Sequence, residues 1–148
     1  MNMESKEIVE KSIIIDQDAA KVWEVLTNPK EIRLCIADVE LDVVSDFKVG
    51  SPITFTGKWH GVKREDHGII LKFDPYKVYK YSYWTKISRL PDTFENHAYI
   101  EFRLTPSGDK TILEVTHSNL IAKTAYEHAN FYWSVSLGVI KKQVEEGR

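Results

Sequence analysis

Tyr79, Tyr81 and Tyr83 occupy alternate positions in one short segment. In an extended chain alternate side chains point the same way, so the three phenols share a strand face. Each offers an apolar ring and one hydroxyl that needs a hydrogen-bond partner when buried. Three in a row suit a wall that holds an aromatic or sterol-like molecule bearing a few polar groups. The plain alternative is a core of tyrosines bonded to backbone or water. His117 shares a face with Leu113 and Val115. An imidazole there can bond a ligand carbonyl or move a proton near neutral pH, although a lone histidine on an apolar face is commonly structural.

Other chemistry-bearing residues are less pointed. His60, His67, His97 and His128 are scattered, and His60 and His67 flank a charged run, Lys63-Arg64-Glu65-Asp66, that reads as a turn. No pair has metal-ligand spacing, so neither a metal nor another cofactor is expected. Cys35 has no histidine or asparagine in a recognisable nucleophile arrangement and reads as a small buried hydrophobe. Asp38, Glu40 and Asp42 form a solvated strand face. There is no glycine-rich phosphate loop and no Gly-x-Ser-x-Gly elbow.

These residues need a scaffold, and the hydrophobic period supplies it. Residues 6–15 end in Ile13-Ile14-Ile15 and read as a strand. Asp16 or Asp18 caps a helix over Ala19 to Leu26, with Ala19, Val22, Trp23 and Leu26 on its apolar face. Asn28, Pro29 and Glu31 fit the cap of a second short helix reaching about Cys35. The period then becomes two through Val39–Val43, Ile53–Phe55, Gly68–Phe73, residues 76–85, Ala98–Leu104 and Leu113–His117. Short turns at Gly50, Asp74-Pro75, Leu90-Pro91-Asp92 and residues 105–109 join these strands, which makes the sheet antiparallel. From Tyr126 the apolar residues Trp133, Leu137, Ile140 and Val144 follow helical spacing. A helix of about 25 residues, roughly 38 Å long, covers the one apolar face of that sheet. Phe131, Tyr132 and Trp133 are consecutive, so they cannot all face it.

Composition narrows the function classes. The 148 residues read as one domain spanning 1–148, long enough to bury a core without a disulfide or metal. A net charge of −2, from 20 basic and 22 acidic residues, argues against nucleic acid as a partner. One cysteine points to a reducing compartment, and the first ten residues lack the apolar core of a signal peptide. No apolar run approaches membrane-spanning length, so a cytoplasmic protein with no membrane insertion is expected.

The order strand, two short helices, six strands, long helix resembles the START and birch-pollen-allergen superfamily. Within it the chain looks most like homologues of the activator of the heat-shock protein 90 ATPase. Val22-Trp23-Glu24-Val25-Leu26-Thr27-Asn28-Pro29 is similar to the family's first helix and its proline-led second. Residues 74–83 are similar to its Asp-Pro turn and following strand, Thr111–Ser118 to its penultimate strand, and Trp133 with Leu137 and Ile140 to its last helix. Leu34-Cys35-Ile36, Gly50-Ser51 and Tyr83 depart from the family's usual aromatic pair, Gly-Gly and Trp.

The resemblance implies an α+β helix-grip fold, a curved antiparallel seven-stranded sheet wrapped around the C-terminal helix. It turns the three tyrosines inward. The expected function is binding of a small hydrophobic or aromatic molecule (lipid, sterol or polyketide-like) in an internal cavity, without catalysis. Ligand-binding residues would be Tyr79, Tyr81, Tyr83, Ile100, Phe102, Val115, His117, Trp133 and Leu137. One alternative is a cyclase- or hydrolase-like enzyme with His117 and a tyrosine as its acid–base pair. Another is a co-chaperone-like interaction module. Surplus aromatics leave monomer and homodimer both open.

Overall fold

The computed structural model describes residues 7–28, 40–59, 62–86 and 89–146. The first strand, β1 (Glu7–Ile15), buries Val9 and Ile15 while Ile8 and Ile14 at the intervening parity face solvent. Helix α1 (Ala19–Thr27) starts where the Asp18 carboxylate accepts from the Lys21 N–H at 3.0 Å, and it buries Val22, Trp23, Val25 and Leu26. It ends at Asn28, which is extended, as a residue before proline tends to be. The expected second helix, with Cys35, and the strand start at Val39 lie outside the described residues, as does His60.

Six strands follow: β2 (Glu40–Ser45), β3 (Pro52–Trp59), β4 (Val62–Asp74), β5 (Val78–Thr85), β6 (Ala98–Ser107) and β7 (Lys110–Leu120). They form one antiparallel seven-stranded sheet in the order β1-β7-β6-β5-β4-β3-β2. The turns β2–β3, β4–β5 and β6–β7 use residues of positive φ at Phe47 and Gly50, Tyr76, and Gly108 respectively. The last hairpin is tighter than expected, because Ser107 already pairs with Lys110. Lys63–Asp66 is not a turn. It belongs to β4, which is long enough to run from the Trp59–Val62 pair to the Asp74 turn. Strand alternation therefore turns Asp66 inward, where it is buried.

The C-terminal helix α2 (Lys123–Glu146) buries Ala129, Trp133, Leu137, Ile140 and Val144 along one face. Its last turns grip the end of β1: Lys141 Nζ donates to the Ile14 carbonyl at 2.7 Å, and the Glu145 carboxylate accepts from the Asp16 N–H at 2.7 Å. The fold is thus the expected helix-grip α+β arrangement. Among the described residues no helix is long and apolar enough to cross a membrane.

Candidate functional site

Sheet register assembles the inner wall in rows. Tyr79 lies opposite Phe102, and Phe102 opposite Val115; in the next row Tyr81 meets Ile100, and Ile100 meets His117. All of these side chains lie on the sheet face that α2 covers. Aromatic contacts run on from there. Trp23 of α1 meets Phe73 and Tyr79, Tyr79 meets Tyr81 at 5.3 Å between centroids, and Phe102 meets Trp133 edge-on at 5.5 Å.

A cavity of about 60 Å³ remains between sheet and helices. From the sheet it is lined by Phe55, Tyr79, Tyr81 and Phe102, from α1 by Val25 and Leu26, and from α2 by Tyr132, Trp133, Ser136 and Ile140. Four of the nine expected site residues therefore face it: Tyr79, Tyr81, Phe102 and Trp133. Ile100, Val115 and Leu137 are buried in the surrounding core and line no part of it. Tyr83 is also outside the lining; its hydroxyl donates to the buried Asp66 carboxylate, and its ring stacks edge-on against Phe55 at 5.7 Å.

The two lining tyrosines differ from Tyr83 in a way that bears on chemistry. Among the described residues neither the Tyr79 nor the Tyr81 hydroxyl has a hydrogen-bond partner, and both rings are buried. Burial raises both phenols well above the ordinary tyrosine range, and for Tyr81 the neighbouring phenols of Tyr79, Tyr132 and Tyr83 push the same way. Both stay neutral donors. Val25, Leu26, Phe55, Tyr132, Ser136 and Ile140 were not expected at this site, although helix periodicity already put Leu26 and Ile140 on buried faces.

His117 shares a row with Tyr81 and Ile100 but is not part of the cavity lining. Its Nδ1 accepts from the Trp133 indole N–H at 3.0 Å, so its proton sits on Nε2. Burial, with a smaller contribution from His128, lowers its pKa to about 4. The imidazole is thus neutral and a weak base near pH 7. The histidines also prove less scattered than their spacing implies. His67 from β4 and His97 from the approach to β6 converge on Asp92 on the opposite face of the sheet.

The chain matches the family described as "Activator of Hsp90 ATPase homolog 1-like protein" over residues 16–145. Among solved structures it is similar to ChR145 from Cytophaga hutchinsonii, with 33% identity over 97% of both chains and a TM-score of 0.82. It is similar in fold to the Aha1 dimer from Colwellia psychrerythraea, at 23% identity and TM-score 0.75 over 96% of this chain and 98% of that one. CalU16 from Micromonospora echinospora shares the fold at 19% identity and TM-score 0.71, over 94% of this chain and 74% of that one. A comparison with curated proteins finds no match. With nearly all of the helix-grip scaffold inside the matched segment, the chain belongs to the family of Activator of Hsp90 ATPase homolog 1-like proteins.

Proposed function

We propose that the protein, a single domain, binds a small and largely apolar molecule between the sheet and α2. The observation that carries this reading is the pair of phenols, Tyr79 and Tyr81, whose rings are buried and which line the cavity with no protein hydrogen-bond partner for either hydroxyl among the described residues. Each hydroxyl is free to donate to an acceptor on the ligand, a net gain of about 0.5–1.5 kcal/mol per hydrogen bond. The apolar walls add roughly 25 cal/mol for each Å² of ligand surface they cover. The chemistry selected is therefore an aromatic or lipid-like body with a carbonyl, ether or hydroxyl oxygen. Family membership supports a ligand-binding fold.

Size limits the reading. The cavity of about 60 Å³ is smaller than the roughly 150 Å³ apolar cavity that takes benzene. A sterol or polyketide-sized ligand needs more room than this, and movement of α1 or α2 to provide it makes slow, temperature-dependent binding the expectation for large ligands. The cyclase- or hydrolase-like alternative is the weaker reading, because Trp133 occupies the His117 nitrogen that a base would use. A reducing cytoplasm suits the lone Cys35. The test is an amide and aromatic NMR titration with fatty acids, sterols and aromatic polyketides. Shifts centred on Tyr79, Tyr81 and Trp133 are expected for one class; no shift with any class sinks the proposal.

A second reading rests on α2's outer surface. Phe131 is 70% exposed and Val135, one turn on, is 49% exposed. Together they form an apolar step on which two copies of the chain could pair as a homodimer, the state in which the Colwellia Aha1 was solved.

A further inference from the structure

The sheet face turned away from α2 carries a built cluster that the cavity does not use. Strand alternation sends Tyr79, Tyr81 and Tyr83 towards α2 and Ser82 and Trp84 the other way. His67 pairs with Trp84 across β4 and β5 and points to the same outer face. Residues 89–97 fold over that face and bring Asp92 and His97 against it. His67 Nε2 then lies 2.6 Å from one Asp92 oxygen, and His97 Nε2 lies 2.9 Å from the other. One ligand-capable atom from each residue falls within 4.8 Å of the other two.

We propose that His67, Asp92 and His97 bind a divalent transition-metal ion of the zinc class, in a site with three protein ligands and one open position. Two imidazoles and one carboxylate suit zinc, nickel, copper or cobalt rather than the all-oxygen shells of magnesium and calcium. A tetrahedral ion with bonds of about 2.0–2.1 Å holds its ligand atoms roughly 3.3 Å apart, so each imidazole–carboxylate pair parts slightly and donors already within 4.8 Å of one another settle to that spacing. Three protein ligands plus water is also the pattern of open zinc sites.

The surroundings hold the donors in place. His97 Nδ1 meets Ser82 Oγ at 3.0 Å, and that hydroxyl, wholly buried, also accepts from the Ile69 N–H at 3.0 Å. This contact fixes the His97 ring with Nε2 aimed at Asp92, the outer support a metal-bound histidine requires. Asn119, itself at φ +60°, donates to the His97 carbonyl at 2.7 Å and the Glu95 carbonyl at 3.2 Å. Asn96 donates to the Pro91 carbonyl at 3.0 Å and the Thr93 hydroxyl at 3.1 Å, bracing the turn that presents Asp92. Trp84 stacks on His67 with centroids 5.1 Å apart and donates to the Leu90 carbonyl at 3.2 Å.

Access is asymmetric. The His97 side chain is 6% exposed, whereas those of His67 and Asp92 are 40% and 42% exposed. An ion enters from the solvent side, and its open position faces water there. Bound, it pins the 89–97 segment to the sheet. The cluster lies across the sheet from the cavity, so it stands or falls independently of the ligand-binding reading.

The experiment uses the full chain without an affinity tag, stripped with a chelator. Zinc is titrated by calorimetry, and cobalt by visible absorption and by quenching of tryptophan emission through nearby Trp84. One ion per chain, saturable at micromolar concentration or below, is expected, with cobalt bands of a four- or five-coordinate site. His67→Gln and Asp92→Asn each weaken binding about tenfold or more. Should either variant misfold, nitrogen-15 shifts of His67 and His97 in the unaltered protein on zinc addition decide the matter, since coordination carries each Nε2 to the shift of a metal-bound, unprotonated imidazole nitrogen. Absence of saturable binding overturns the proposal, as does full-affinity binding in both variants or unmoved imidazole nitrogens.

Discussion

The Trp133 indole N–H donates to His117 Nδ1 across 3.0 Å, joining the middle of α2 to the last strand. The same indole lines the cavity and meets the Phe102 ring edge-on. One side chain therefore fixes the helix, the tautomer of a buried histidine and part of the cavity wall. Trp133→Phe removes the donor and leaves the buried His117 nitrogen without it. We expect a loss of about 2–3 kcal/mol in urea denaturation, the sum of a lost hydrogen bond and a small void.

Acid should unfold the protein partly through His117. Its folded pKa is lowered to about 4 from an ordinary 6.5, because burial penalises the imidazolium. Above pH 6.5 both folded and unfolded forms are neutral and the contribution to stability is complete. Between pH 6.5 and about 4 the unfolded chain takes up the proton and the folded chain does not, so stability falls as pH drops, by up to about 3 kcal/mol. His117→Asn keeps an acceptor near Nδ1 and cannot titrate. The difference between the two proteins' stability profiles should show this slope; parallel profiles would contradict it.

Tyr81→Phe separates folding from binding. Among the described residues its hydroxyl has no partner, so removal should leave thermal stability unchanged or raise it slightly. Affinity for the ligand class found by titration should fall about tenfold, one hydrogen bond's worth. Tyr83→Phe should do the reverse, because its hydroxyl bonds Asp66 and lies outside the cavity lining. A large melting-point loss in Tyr81→Phe would count against the assignment.

Gly68→Ala should be among the most damaging single-methyl changes in the chain. A Cβ there would sit 1.7 Å from the Ser82 carbonyl oxygen, so β4 and β5 must part. A loss of about 3 kcal/mol or more is expected by thermal or chemical denaturation. Because Ser82 orients His97, the same change should loosen the 89–97 segment, visible as faster amide exchange there.

Phe131→Ser tests the outer face of α2. With the ring 70% exposed, stability should change by no more than about 0.5 kcal/mol. If light scattering finds the unaltered protein dimeric, the variant should be monomeric. A dimer that survives the substitution places the interface elsewhere.

How much of this was legible in the chain depends on the kind of residue. Alternation around Tyr79, Lys80 and Tyr81 reveals the inner strand face because one side of the sheet is buried and the other is not. The spacing of Trp133, Leu137, Ile140 and Val144 reveals α2 for the same reason. Which inward residues border a void is a matter of three-dimensional packing: Ile100, Val115 and Leu137 have the same pattern as Phe102 yet are packed solid. The charged run Lys63–Asp66 looks like a turn because nothing local marks Asp66 as the partner of Tyr83, 17 residues away. The histidine cluster escaped for a similar cause. Its members come from a strand, a turn and a strand's approach, so no single element carries a ligand spacing.

The pairing of β1 with β7 has a consequence for how the chain is made. Glu7 meets Leu120, and Ile15 meets Thr111, so the first strand must wait for roughly a hundred residues before its neighbour exists. During synthesis β1 is an orphan edge with apolar side chains on both faces, Val9 and Ile15 on one and Ile8 and Ile14 on the other. The β2–β6 meander can form on the ribosome, but the sheet cannot be completed until β7 emerges. Lys141 and Glu145 then latch onto the end of β1 only after the last turns of α2 have been made. Folding is therefore set by late, long-range closure, slow for a chain of this size, and the unpaired first strand is where aggregation would begin.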